Sequence, residues 1–351
     1  MNDIICDAGF VHPGFKLNGI VLGREELLKV AYDLIKEGEV WERATGAFLL
    51  DWFDDKPYVQ MKTSGTTGIP KTMQLLKHHM VNSALATADF FEAGTNAHAL
   101  HCLPSEFVAG KMMLVRAIIV GWDIYLAEPS SAPLERDGKK YDFAAMVPLQ
   151  AEHSFEKLTQ IKKIILGGGK VSAALSARLQ TLPVEIWETY AMTETVTHIA
   201  AKRVGDADFT TLPNVSISTD DRGCLVIDAP KVAAGQVVTN DLVQITDATH
   251  FTWLGRYDNV INSGGIKLYP EQIEEKISLH VNQRFFVHAI PDDVLGEKLV
   301  LVIEGEPFVL SEEFFTIFRK YEKPREIFFI QKFVETGSGK VQRAATVNAV
   351  N

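Results

Sequence analysis

Cysteine is scarce in this chain of 351 residues, which holds three, Cys6, Cys102 and Cys224, far apart from one another. An odd and dispersed set supports neither a disulfide framework nor a zinc-ligand spacing, and it fits a reducing compartment. Long apolar runs are absent as well, so nothing predicts insertion into a membrane. The opening Met-Asn-Asp-Ile-Ile-Cys-Asp lacks the basic-then-apolar order of an export signal. A cytoplasmic protein is therefore expected. Positive charge is in deficit: 35 basic residues face 45 acidic ones, for a net charge of −10, and no basic run occurs. That balance argues against nucleic acid as a partner. Phosphates, if bound, must be met locally by a few placed cations. No internal repeat and no low-complexity segment is present.

The length predicts two domains. Apolar residues make up 46% and charged residues 23%, the mixture of a globular protein. Against this ordinary background one stretch stands out, Thr63-Ser-Gly-Thr-Thr-Gly-Ile-Pro-Lys71. Gly65 and Gly68 let the backbone turn without a Cβ clash. Ser64, Thr66 and Thr67 offer hydroxyl and amide donors, and Lys71 adds a point charge suited to phosphate. The loop reads as a wrap for an anion such as a triphosphate, although an ordinary surface loop has the same composition. It is not a Walker A loop, whose glycine, lysine and hydroxyl spacing differs.

Around this loop, strand and helix patterns alternate. Residues 24–37 carry Leu27, Val30, Ala31, Leu34 and Ile35 at helical intervals, with Gly38 as a C-cap. Tyr58–Thr63 reads as the strand that enters the loop. Helices are predicted near 78–93, 108–121, 142–151 and 172–181, and strands at 99–103, 122–127, 163–166 and 184–187. Such alternation implies a parallel sheet in a large three-layer α/β domain. From about 204 the pattern changes to short strands and turns, a small β-rich subdomain. After Asp258 a new unit begins, with a helix from Pro270, strands near 284–290 and 298–303 and a helix near 311–321. The expected architecture is α/β, with domains at 1–258 and 259–351, the second a small, mobile α+β unit.

Four further clusters carry chemistry. Gly167, Gly168 and Gly169 directly follow an apolar strand, where a flat ligand can approach the backbone, although a plain strand-to-helix turn looks the same. Tyr190-Ala-Met-Thr-Glu194 supplies a ring face, the Thr193 hydroxyl and a hard oxygen ligand for Mg²⁺ in Glu194, while a packed tyrosine and a solvated glutamate would fit equally. Asp241, in Thr239-Asn-Asp, stands 15 residues before Arg256. A carboxylate there can accept from two vicinal ribose hydroxyls, or it can be a turn residue. Lys340, in Glu335-Thr-Gly-Ser-Gly-Lys-Val-Gln-Arg343, is a cation on a glycine-flexed loop or part of a polar tail.

Taken together and in this order, these motifs resemble the adenylate-forming superfamily of acyl-CoA synthetases, peptide-synthetase adenylation domains and luciferases. The resemblance runs from about residue 58 to 345. It implies that Gly65–Lys71 holds the β- and γ-phosphates of ATP, with Thr63 and Ser64 also in the nucleotide site, that Gly167–Gly169 and Tyr190 hold adenine, and that Asp241 and Arg256 hold ribose. It further implies that Thr193 contacts the α-phosphate, that Glu194 binds Mg²⁺, and that Lys340 serves adenylation. Asp258 matches the hinge, and Gly264, Gly265 and Lys267 match the loop that meets the thiol of CoA. A carboxylate attacking a phosphoryl group brings two anions together, so cations must offset the repulsion. Rotation about Asp258 would then exchange Lys340 for the Gly264–Lys267 loop.

Within the superfamily, Leu103-Pro-Ser-Glu-Phe-Val-Ala-Gly-Lys-Met-Met113, Met192–Ala200 and the compact Leu212–Pro230 are most similar to the o-succinylbenzoate–CoA ligases of menaquinone biosynthesis. That implies o-succinylbenzoate as the acid, with Phe107, Gly110, Lys111 and His198 as candidate pocket residues. Lys111 is the first candidate partner of the acid's ring carboxylate, although a solvated helix lysine reads the same. Arg116 lies off the same helical face and is the weaker candidate, and His198 reads more readily as a packed histidine. The sequence departs from the superfamily in two places. Members usually carry a hundred or more residues before the phosphate loop, which leaves sheet size and any homodimer interface open. Phe107 stands where relatives often have histidine. Three other functions fit parts of the pattern: ligation of another aryl or acyl acid, loading of a separate carrier protein, and an inactive nucleotide-binding homologue. Retention of Lys340, Glu194 and Asp241 opposes the last.

Overall fold

A computed structural model describes residues 9–63, 71–134, 138–335 and 341–349, without the side chains of Lys62, Thr63 and Lys71. Five strands form the parallel centre, in the spatial order Asp123–Leu126, His98–His101, Tyr141–Met146, Ile161–Leu166 and Glu185–Ala191. Successive residues in these strands point to opposite faces, and both faces are apolar. Ala99, Phe143 and Ile165 enter one core and Leu100, Ala144 and Ile164 the other. Helices cover both sides, giving three layers.

On the first face lie α1 (Arg24–Lys36), α2 (Glu42–Phe53), α3 (Lys77–Phe90) and α4 (Val108–Val120). The sequence gives no expectation of α2, yet Thr45, Phe48, Leu49, Trp52 and Phe53 are buried at helical spacing. Gly46 disguises it. A Cβ there would stand 2.5 Å from the Ala31 carbonyl oxygen, so glycine is what lets α2 cross α1 closely. Gly38 follows the helix end, which is capped by Glu37 rather than by the glycine itself. The expected helix over 142–151 is corrected: Tyr141–Met146 is a central strand and only Pro148–His153 is helical. Burial on both faces removed the alternation that marks a strand, and the proline ends it.

The β-rich segment is hydrogen-bonded to the parallel sheet rather than detached from it. Strands His198–Arg203, Asp208–Thr211, His250–Arg256, Val237–Ile245, Cys224–Asp228 and Ser216–Thr219 continue it antiparallel, so that thirteen strands join among the described residues. Their own core includes Phe209, Leu225, Ile227 and Phe251. Tyr58–Thr63 and Lys71–Leu76 form a separate antiparallel pair, with Thr63 opposite Lys71. The unit after Asp258 has a sheet containing Phe285–Asp292, Gly296–Glu304 and Glu326–Ile330, buried on both faces by separate clusters. The predicted helix over 311–321 is there only a short 3-10 turn, Glu313–Ile317.

Candidate active site

The parallel strands run out at a common edge, and a cleft of about 230 Å³ opens there. In open α/β sheets this is where ligands bind, because the chain must leave the strands in diverging directions. Leu103, Val147, Gly167 and Met192, each just past a strand end, line the cleft together with Thr189 and Ala191. Gly168 also lines it, with φ +76°, a conformation that suits glycine. A Cβ on Gly167 would meet Thr189 Oγ1 at 2.9 Å. Gly169 packs beside Pro148 and is not part of the lining.

The next wall is the turn from Met192 to Thr197. Thr193 and Val196 line the cleft. Buried Val196 has φ 65° and ψ −59°, and Thr197 N–H donates to the Thr195 carbonyl at 2.7 Å. This is a γ-turn of the strained hand at a β-branched residue, costing on the order of 1–3 kcal/mol. It swings Thr197 and His198 into the cleft wall, where both are found. Exposed Glu194 makes no hydrogen bond or ion pair with any described residue.

The third wall is α4. Its cleft side carries Val108, Ala109 and Arg116, the last two seven residues apart and so nearly in line on the helix. Arg116 is 2% exposed and has no carboxylate partner among the described residues. Its Nε donates to Thr87 Oγ1 at 3.3 Å, one terminal nitrogen to Thr197 Oγ1 at 3.4 Å and the other to Met113 Sδ at 3.7 Å. Burial pushes its pKa down to about 9, which still leaves the cation charged at neutral pH.

Lys111, the cation favoured in the sequence, is corrected here. It does not line the cleft; its ammonium stands 5.5 Å from the centre of the Phe48 ring on α2. Five residues separate it from Arg116, roughly 140° around the helix, so the two point apart. Phe107 is 57% exposed at the start of α4 and lies outside the lining. Gly110 is a packing glycine: a Cβ there would sit 2.3 Å from the Pro104 carbonyl oxygen. Of the four expected pocket residues, only His198 reaches the cleft.

A second cluster forms beside it. Tyr190 faces the antiparallel strands, packs edge-on against Phe251 at 5.4 Å and donates its hydroxyl to Asp241 Oδ2 at 2.6 Å. Trp253 Nε1 donates to Asp241 Oδ1 at 3.2 Å, and Arg256 stands 3.7 Å from the same oxygen. Burial, then the Asp241 charge, pushes the tyrosine pKa up, so the phenol stays a donor. Asp258 accepts from Asn240 at 3.2 Å and lies 3.5 Å from Arg256. Gly264 and Gly265, with φ 58° and 80°, close the hairpin between Ile261–Ser263 and Ile266–Leu268, which also carries exposed Lys267. Ser64, Gly65, Thr66, Thr67, Gly68 and Lys340 lie outside the described residues. Thr87, Thr197 and Trp253 were not anticipated; single threonines and tryptophans in apolar stretches carry no signal in sequence.

Residues 51–238 match the family model of the AMP-binding enzymes. The chain belongs to that family. Curated relatives of this AMP-binding enzyme include the 2-succinylbenzoate–CoA ligase of Listeria monocytogenes, 25% identical over 85% of this chain and 71% of that one. The enzyme of the same name from Lactococcus lactis is 26% identical over 89% and 76%. A solved acyl-CoA synthetase (AMP-forming)/AMP-acid ligase II-like protein from Dyadobacter fermentans is 33% identical, covers 92% of this chain and 98% of its own, and has a TM-score of 0.62. An o-succinylbenzoate–CoA synthetase from Bacillus subtilis, in complex with ATP and magnesium, shares the fold at a TM-score of 0.71 and 21% identity, over 82% and 69% of the two chains. No helix among the described residues is long and apolar enough to cross a membrane.

Proposed function

We infer that this AMP-binding enzyme activates 2-succinylbenzoate with ATP as an acyl-adenylate and transfers the acyl group to coenzyme A. The single observation that carries the acid is Arg116. A buried guanidinium with two neutral oxygens and a thioether as partners is costly, because its desolvation is not offset by an opposite charge. A substrate anion supplies that charge. One carboxylate of the acid must be free to attack ATP, so an anion at Arg116 requires a second carboxylate, as in 2-succinylbenzoate. The names of the curated relatives support the same acid.

The remaining roles are assigned by position. Gly167 and Gly168 leave room for a flat base against the backbone. Asp241 has about four lone-pair sites, two of them used by Tyr190 and Trp253, which leaves acceptors for ribose hydroxyls. Thr193 contributes a hydroxyl at the cleft wall for the α-phosphate. Glu194 fits Mg²⁺, which takes one or two carboxylates and completes its shell with phosphate and water; the ion would offset phosphate charge as the acid attacks. Lys340 would bring a further cation to the same oxygens. Residues 1–258 and 259–351 form the two moving parts in this reading. Asp258 is the pivot, and its contacts with Asn240 and Arg256 must rearrange when Lys340 gives way to the Gly264–Lys267 loop.

The experiment is pyrophosphate release over a panel of carboxylic acids, with and without coenzyme A. Release with 2-succinylbenzoate in either case, and thioester only with the thiol present, is the expected result. Release with monoacids but not with the diacid overturns the acid assignment. Acyl transfer to a carrier protein and not to coenzyme A overturns the acceptor.

A further inference from the structure

Arg116 and His198 are joined by two threonine hydroxyls, and the directions of donation around this ring are fixed. Thr87 Oγ1 donates to the Ser83 carbonyl one turn earlier on α3, at 2.8 Å. Its oxygen must therefore accept from its other neighbours, Arg116 Nε at 3.3 Å and His198 Nε2 at 3.2 Å. His198 thus carries its proton on Nε2. In a neutral imidazole, Nδ1 is then an acceptor, and the Thr197 hydroxyl, 3.1 Å away, donates to it. With that proton committed, Thr197 Oγ1 offers only lone pairs to the Arg116 terminal nitrogen at 3.4 Å. The Thr87 donation to Ser83 fixes the histidine tautomer, and that tautomer in turn leaves the Thr197 oxygen facing the guanidinium.

All four side chains are buried: Arg116 at 2%, Thr87 at 0%, His198 at 4% and Thr197 at 8% exposure. Burial, and then the neighbouring Arg116 charge, hold the His198 pKa well below its ordinary value, so the ring stays neutral. The Phe91 ring meets it edge-on at 5.7 Å. The γ-turn at Val196 presents Thr197 and His198 together.

We propose that His198 is the positioning residue of the acid site: as the Nε2–H tautomer that Thr87 sets, it takes the Thr197 hydroxyl proton in a hydrogen bond and so orients Thr197, and Thr87 and Thr197 together hold the Arg116 fork with its remaining N–H groups toward the cleft. The proposal rests on the reading of Arg116 as the seat of the second carboxylate. It explains why a buried cation is flanked by hydroxyls and a histidine instead of a carboxylate. An internal carboxylate would neutralise the guanidinium and compete with the substrate, whereas neutral acceptors aim it and leave its charge available.

The test compares 2-succinylbenzoate with 4-oxo-4-phenylbutanoate, which lacks the ring carboxylate, in initial-rate ligation by the full chain. His198→Phe fills the space without hydrogen bonds. It should lower the ratio of kcat/KM for the diacid over the monoacid about tenfold, the size of one weakened charge-assisted hydrogen bond. The loss should appear in the KM of the diacid. His198→Gln carries a donor and an acceptor on one side chain and should restore the ratio to within roughly threefold. Equal losses on both acids in His198→Phe, or a glutamine variant no better than phenylalanine, would overturn the proposal. In the unmodified enzyme, ¹⁵N-detected ring resonances should report the Nε2–H tautomer; a proton on Nδ1 also overturns it. Arg116→Gln, measured beside them, separates the two levels. If its ratio is unchanged, the reading of the cleft falls; if its ratio drops while that of His198→Phe does not, only the positioning role falls.

Discussion

The phenol of Tyr190 donates to Asp241 at 2.6 Å, joining the end of a parallel strand to the middle of an antiparallel one 51 residues away. The contact brings two motifs that are separate in the chain to one place, and it fixes the carboxylate before any ligand arrives. Trp253 holds the other oxygen. An acceptor oriented in this way would lose little entropy on binding the ribose hydroxyls proposed for it.

Removing it therefore has a defined effect. Asp241→Ala takes away the acceptor shared by Tyr190 and Trp253 and, in the proposed site, by the ribose, so AMP affinity measured by calorimetry should fall by about 1–3 kcal/mol. Tyr190→Phe keeps the carboxylate and should lose less. Unchanged affinity in Asp241→Ala would place the ribose elsewhere.

Lys340 is expected to act in only one half-reaction. Lys340→Ala should lower acyl-adenylate formation by several orders of magnitude, as when a donor to developing charge is lost. Thioester formation from added acyl-adenylate should survive. Equal loss in both steps would contradict a cation that withdraws before thiol attack.

Lys111 offers the opposite expectation. With its ammonium over the Phe48 ring and Asp51 and Glu106 nearby, Lys111 is buried away from the cleft, and Lys111→Met should change the diacid-to-monoacid preference by less than about twofold, since any cost to the fold falls on both acids alike. A selective loss on the diacid would return Lys111 to the pocket.

A pH effect on stability should come from Asp54, whose carboxylate meets the buried Lys77 ammonium at 2.7 Å, at the junction of α2 with α3. Burial raises its pKa, but hydrogen bonds from Lys77 and Lys56 outweigh that and hold it at about 2, against 3.8 for an ordinary aspartate. A depressed pKa stabilises the fold above the unfolded value and is lost as pH falls. Asp54→Asn should cost on the order of 2 kcal/mol in urea unfolding at pH 7. The gap from the parent should narrow between about pH 4 and pH 2; a constant gap across that range would remove the ion pair from the account.

The parts of the molecule that rest on local rules were legible in the chain itself. Glycine spacing, hydroxyl-rich turns and the order of the motifs marked the family to which the chain belongs. Alternating strand and helix patterns gave the layered sheet, because a parallel strand needs a crossover before the next one. What failed were the places where burial erases periodicity. Tyr141–Met146 is covered on both faces and α4 is buried from Gly110 to Ile119, so neither shows a polar side that would orient it. Nothing in Val108–Val120 alone says that Arg116 faces the cleft and Lys111 faces α2. Packing against α2, a helix hidden by Gly46, decides that. The sequence alone determined the family chemistry, since that depends on which groups are present and in what order. The cation proposed for the acid, and the histidine 111 residues from Thr87 proposed to position it, meet only after the sheet has brought α3, α4 and the Thr197 turn together. Hydrogen bonds between such distant residues are set by the fold as a whole, and no local pattern encodes them.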